Sequence, residues 1–199
     1  MPYDRPNMNV VEEILPSDAV KRLIYYAGDD PDRDGLKDTP MRVLRAYLEL
    51  FSGYEQEDSI EEMLTRFDTP NGYSEMIVLD NIEFYSTCEH HFLPFFGVAH
   101  IGYIPYNSGK VVGISKLARL LEVYARRLQI QERICRQVTD AMTKYLKPIG
   151  TACVLEAKHL CISCRGVNKQ NSIMKTASMT GAFKEDLNTR QEFYRLIGK

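Results

Sequence analysis

Apolar residues recur at near-helical intervals from Val10 through Ile14, Val20, Leu23, Ile24 and Ala27. This predicts a helix over 10–28, which Gly28 followed by Asp29, Asp30 and Pro31 would close. A turn-rich connector, 29–37, follows. Asp38 or Thr39 with Pro40 then predicts a second helix start, and Val43, Leu44, Tyr47, Leu48 and Phe51 give it an apolar face as far as Gly53. An acidic stretch at 55–68 and the breaker Pro70-Asn71-Gly72 end this helical layer. From there the pattern becomes strand-like. Met76–Ser86 and Pro94–Pro105 are rich in Val, Ile, Phe and Tyr and are expected to pair as a hairpin, with Thr87–Leu93 at its end. Helical spacing returns over 115–146. Leu117, Leu120, Leu121, Tyr124 and Leu128 form one stripe, and Ile134, Val138, Ala141, Met142 and Tyr145 form another; the break at Leu128–Gln131 predicts two helices. Beyond Pro148-Ile149-Gly150, stretches 151–163 and 174–183 read as a second hairpin and Asn188–Ile197 as a closing helix. The order predicts an α+β fold, an antiparallel sheet of two hairpins with a helix pair, preceded by N-terminal helices. Residues 1–75 would form the helical segment and 76–199 the sheet-bearing portion of a single functional domain.

Composition narrows the class. A chain of 199 residues with 44% hydrophobic content can bury a core without disulfides. Its early charges, Asp4, Arg5, Glu12 and Glu13, interrupt any apolar run, so neither a signal peptide nor a membrane span is expected and the cytoplasm is the default compartment. Cys88, Cys135, Cys153, Cys161 and Cys164 are odd in number and irregular in spacing, which fits thiols or metal ligands better than a disulfide framework. The net charge of -2 hides an asymmetry: 8 Lys+Arg against 17 Asp+Glu in residues 1–75, and 17 against 10 in residues 76–199. The basic part could meet a phosphorylated ligand or an acidic part of its own or a neighbouring subunit. Dispersed basic residues on a slightly acidic chain make duplex nucleic acid a poor partner.

The densest chemistry is Cys88-Glu89-His90-His91, a thiol and two imidazoles at the predicted hairpin end; His159 and Cys161 add further soft donors on the second hairpin. Thiolate and imidazole suit zinc, and three protein ligands with one open position describe a catalytic site. Two other readings stand beside this one. The cysteines could be small core residues and the histidines surface groups. Alternatively Cys88, His91, Cys161 and Cys164 could close a structural zinc. If a strand runs through Cys164, however, alternation turns Cys161 and Cys164 to opposite faces. At Ser115 a helix begins, with Lys116 and Arg119 one turn apart behind it, so free amides and two cations could receive an anion or simply cap a solvated helix. Glu132 could pair with Arg136 one turn later. His100 is taken as structural.

Taken together, Cys88-Glu89-His90-His91, Gly113-Ile114-Ser115-Lys116-Leu117-Ala118-Arg119, Gln131-Glu132-Arg133 and His159-Leu160-Cys161 with Arg165-Gly166 resemble the motifs of the GTP cyclohydrolase I family, in the same order over roughly residues 10–197. The resemblance implies a tunnelling fold (T-fold) whose units join into pentameric barrels, two of which stack into a homodecamer. It implies Zn2+ on Cys88, His91 and Cys161. It assigns Lys116, Arg119, Arg165 and Arg42 (in Thr39-Pro40-Met41-Arg42) to the triphosphate of GTP, and Glu132 with Gln131 to the guanine. His90, His159 and Ser115 make up the catalytic group.

The implied reaction is attack of a zinc-activated water on the guanine carbon between the two imidazole nitrogens, with His90 and His159 moving protons. Formate leaves, and the ribose rearranges to give 7,8-dihydroneopterin triphosphate. The rival classes are a non-catalytic zinc-stabilised oligomeric module and other T-fold enzymes, namely pterin synthases with three histidine ligands and nitrile reductases with a cysteine nucleophile. The Cys88, His91 and Cys161 set argues against both enzyme rivals.

Overall fold

In the computed structural model, residues 14–68, 72–106 and 110–199 are described. Val10 of the first predicted helix and Pro70-Asn71 of the predicted breaker lie outside them. Contacts divide the chain after Glu49 into two compact units. The N-terminal unit carries α1, Pro16–Tyr26, and most of α2, Thr39–Leu50. Proline near the start of each helix suits a first turn whose amides have no intrahelical partner. The connector between them is turn, held partly by Asp29 pairing with Arg33 at 2.8 Å.

The second unit opens with a 3₁₀ segment, Ser52–Ser59, followed by α3, Ile60–Met63, and β1, Arg66–Asp68. Next come β2, Ile77–Cys88; β3, Pro94–Ile104; β4, Lys110–Val112; α4, Ile114–Ala125; β5, Leu128–Gln129; and α5, Gln131–Leu146. The chain ends with β6, Gly150–His159; α6, Leu160–Ser163; β7, Met174–Gly181; α7, Ala182–Glu185; and α8, Leu187–Leu196. Strands β1 and β4 make a small antiparallel pair, and the main sheet has the order β5-β2-β3-β6-β7. Both expected hairpins are present, β2 with β3 and β6 with β7, and β3 joins them by pairing with β6. Short β5 fills the break between α4 and α5 and runs parallel to the end of β2, at Thr87 and Cys88.

The helix pair covers one face of this sheet. Phe84, Phe95, Ala99 and Ile101 pack with Leu117, Leu120, Leu121, Ile134, Val138 and Met142, all essentially removed from solvent. Each such large side chain contributes about 1.5–3 kcal/mol on burial. A smaller cluster, Ala152, Val154, Phe183, Phe193 and Ile197, brings α7 and α8 into contact with β6. At the β3–β6 seam the strands meet so closely at Gly97 that a Cβ there would lie 1.9 Å from the Glu156 carbonyl oxygen.

One expected element ends early. The strand predicted over 151–163 stops at His159, and Leu160–Ser163 forms a single helical turn closed by Cys164 N–H donating to the Leu160 carbonyl at 3.1 Å. Strand alternation therefore does not govern Cys161 and Cys164. Similarly β7 ends at Gly181, whose φ of 51° lets the chain turn into α7. Among the described residues no helix is long and apolar enough to cross a membrane.

Candidate metal centre and active site

The turn after β2 is built by its own backbone. Cys88 N–H donates to Leu93 O at 2.9 Å, Phe92 N–H donates to Cys88 O at 2.9 Å, and Phe92 takes a positive φ of 55°. This geometry folds His91 back over Cys88, placing Nδ1 3.7 Å from Sγ, with His90 Nδ1 at 3.9 Å. The α6 turn delivers Cys161 from the far end of β6. The ligand atoms of Cys88, His91 and Cys161 all lie within 4.8 Å of one another, two of these residues buried and His91 exposed.

Two thiols and one imidazole at that separation fit a dication of the zinc type. Burial and the neighbouring Cys88 push the Cys161 thiol up from its ordinary value. Such paired thiols disfavour ionisation when left alone, and a dication between them reverses that. Cys164 does not join the group: it is exposed, and its Sγ donates to Leu160 O at 3.0 Å. Arg165 sits at the rim, its Nη1 3.5 Å from His91 Nε2 and 3.4 Å from Cys161 O.

His159, the last residue of β6, lies flat on Phe95 with centroids 4.5 Å apart and planes 4° from parallel. Burial lowers its pKa, and the charge of Glu132 opposes that effect. Its Nε2 meets Gln131 Oε1 at 2.8 Å. Gln131 opens α5 and is buried, whereas Glu132 beside it is exposed. The intrahelical partner considered for Glu132 is engaged elsewhere, since Arg136 pairs with Asp140 at 3.5 Å.

A link invisible in the sequence ties these parts together. Arg133 forks onto Glu89, Nη1 to Oε2 and Nη2 to Oε1 at 3.0 Å, while Glu89 N–H donates to Gln129 O at 3.0 Å. The ion pair holds Glu89 well ionised, its carboxyl below the usual range. It fastens the turn after β2 to the start of α5. Both residues lie inside motifs read for other reasons, and their opposite charges were the only available signal.

Other residues singled out in the sequence lie elsewhere. Exposed Ser115 stands in the first turn of α4. Lys116 and Arg119 line a depression of about 390 Å³ with Ser59, Glu62, Met63 and Thr65. In the N-terminal unit Arg42 pairs with Asp38 at 3.5 Å. His100 is buried against Glu156 at 3.7 Å and accepts the Asn81 N–H at 3.3 Å through Nδ1.

An α+β sheet protein with a Cys2His cluster able to hold a metal ion, close in the chain to a half-buried histidine, is the class that the fold and the site define. The sequence model of GTP cyclohydrolase I matches residues 16–198. GTP cyclohydrolase 1 of Thermobifida fusca is 49% identical over 179 residues, covering 90% of this chain and 85% of that protein. The namesake from Gloeobacter violaceus is 51% identical over 180 residues, covering 90% and 82%, and that from Methylococcus capsulatus 49% over 178, covering 89% and 94%. The chain belongs to the GTP cyclohydrolase I family and is an enzyme of that family. Among solved structures, the apo archaeosine synthase QueF-Like aligns at a TM-score of 0.42 with 13% identity, covering 57% of this chain and 97% of that one.

Proposed function

We propose that this enzyme hydrolyses GTP to formate and 7,8-dihydroneopterin triphosphate, with Cys88, His91 and Cys161 holding zinc. The observation that carries the reading is the convergence of those three ligand atoms within 4.8 Å, next to Arg165 and in a chain whose family reacts GTP. Bound zinc would supply an activated water at neutral pH. Hydration of the guanine carbon between the imidazole nitrogens breaks one ring C–N bond, and a second water releases that carbon as formate. One water leaves when the ketone carbon of the rearranged ribose closes on the freed amine, the other ring nitrogen having kept its bond to the sugar, so one is consumed overall.

The protein's own groups bind, orient and move protons. His90 stands 3.9 Å from Cys88 Sγ on the exposed turn and, with His159, exchanges protons with the departing ring nitrogen and the attacking water. The family motif alone adds Ser115 to the catalytic group. Glu132, free of Arg136, offers two carboxylate oxygens to the guanine amide and amino groups, a donor pattern that adenine lacks. Lys116, Arg119 and Arg165 take the triphosphate, and the family motif alone adds Arg42. Gln131 belongs to the guanine end of the site.

The reading extends to a T-fold homodecamer. Large apolar side chains of α1 and α2, among them Leu23, Met41 and Leu48, stay exposed within the single chain, as expected if other copies cover them. Five free thiols suit the cytoplasm.

The test is direct: purified protein with GTP should release formate and yield a fluorescent pterin after oxidation. Zinc binding without formate release would favour a non-catalytic zinc-stabilised module.

A further inference from the structure

The amide of Gln131 has no freedom of orientation. The residue is 1% exposed, and its Nε2 lies 3.0 Å from Leu155 O, 3.1 Å from Met174 O and 3.1 Å from Thr176 Oγ1. Two of these three neighbours are carbonyl oxygens, which can only accept. Flipping the amide would press Oε1 against both carbonyl oxygens with no hydrogen between them. The nitrogen therefore faces β6 and β7, and Oε1 is the atom presented to His159 at 2.8 Å. An amide oxygen has no hydrogen to give, so the hydrogen in that contact belongs to His159 Nε2. Phe95, stacked at 4.5 Å on the imidazole, fixes the ring plane in which the contact is made.

We infer that Gln131 is a positioning residue for the cyclohydrolase reaction, one that locks neutral His159 as the Nε2–H tautomer and so leaves Nδ1 as its proton-accepting atom. The inference rests on the proposed function for its catalytic meaning. It assigns Gln131 to His159 in place of direct contact with guanine: every polar atom of its side chain is already engaged, whereas Glu132 next to it is exposed. A tautomer set in advance matters because the nitrogen facing the reaction must carry a lone pair when a proton is to be taken.

The chain has four histidines, which makes the tautomer measurable. Magic-angle-spinning NMR of 15N-histidine-labelled zinc-loaded enzyme, with His159→Asn identifying the signal, should show His159 protonated at Nε2 and bare at Nδ1. A resting Nδ1–H form would overturn the inference, whatever the enzyme does with GTP. Steady-state kinetics give the second reading. Gln131→Met keeps the volume but removes the acceptor, and should lower kcat for GTP at least tenfold while KM moves less than twofold. Unchanged kcat with a raised KM would mean that Gln131 binds the base and would overturn the positioning role. If wild-type enzyme releases no formate, the functional reading fails, while the NMR result still decides the tautomer.

Discussion

His100 and Cys164 show how much a residue's surroundings decide. His100 is 2% exposed on the sheet, facing Glu156, which also receives Lys175 at 2.7 Å and Lys199 at 2.6 Å. Burial lowers the His100 pKa; Glu156 and Asp80 pull it upward, and Lys199 and Lys175 push it down again. The folded chain thus takes up this proton less readily than the unfolded one. Its contribution to stability is complete above the ordinary histidine value of 6.5 and is lost as pH falls from there through the lower folded value. Thermal melts between pH 7.5 and 5.5 should show a decline in wild type that is shallower in His100→Gln; identical slopes would exclude His100 as the cause. Cys164 was set apart from the metal by strand alternation, a premise that the α6 turn removes, yet its thiol still bonds Leu160 O and faces solvent. Cys164→Ala is expected to keep one zinc per chain and most of the activity, measured by metal analysis and formate release, and metal loss would favour a closed four-ligand site. Glu132→Gln should cut GTP turnover by at least tenfold with folding intact, whereas Arg136→Ala, which breaks only an exposed pair worth about 0.3–0.5 kcal/mol, should be mild. Equal damage from both would contradict the guanine assignment.

At the scale of elements, the strands and long helices were legible because their periods are clean. The stripe over 115–146 gave both α4 and α5, and the Leu128–Gln131 break marked β5 without revealing that it pairs in parallel with Cys88. The end of β6 was hidden. Leu160-Cys161-Ile162-Ser163 has no glycine or proline and continues the apolar run of the strand before it, so nothing local signals the turn that delivers Cys161. The Glu89–Arg133 fork joins residues 44 apart, and no periodicity encodes such a pair. The β3–β6 seam is where the two hairpins meet, and Gly97 permits it. Gly97→Ala would set a methyl carbon 1.9 Å from Glu156 O, against backbone that cannot yield cheaply. Denaturant unfolding should show a loss at or above the upper end of the about 1–3 kcal/mol typical of overpacking. A neutral result would mean that the strands are less tightly apposed than described.

Across the whole molecule, the sheet brings distant segments to one end. β2 carries Cys88, β6 leads to His159 and Cys161, and α5 starts with Gln131 and Glu132, so sites 28 to 73 residues apart in sequence become neighbours through strand register. The motifs were readable because each is short and local. Their convergence was readable only through the family resemblance, since within the chain it depends on β3 lying between β2 and β6. In the proposed reaction, GTP hydrolysis depends on zinc held jointly by Cys88, His91 and Cys161. The most direct measurement is zinc content and formate release from GTP on the same preparations of wild-type and Cys161→Ser protein. Wild type should carry one zinc per chain and turn over GTP, and Cys161→Ser, still folded by circular dichroism, should lose both together. Undiminished formate release from a zinc-free Cys161→Ser protein would contradict the account.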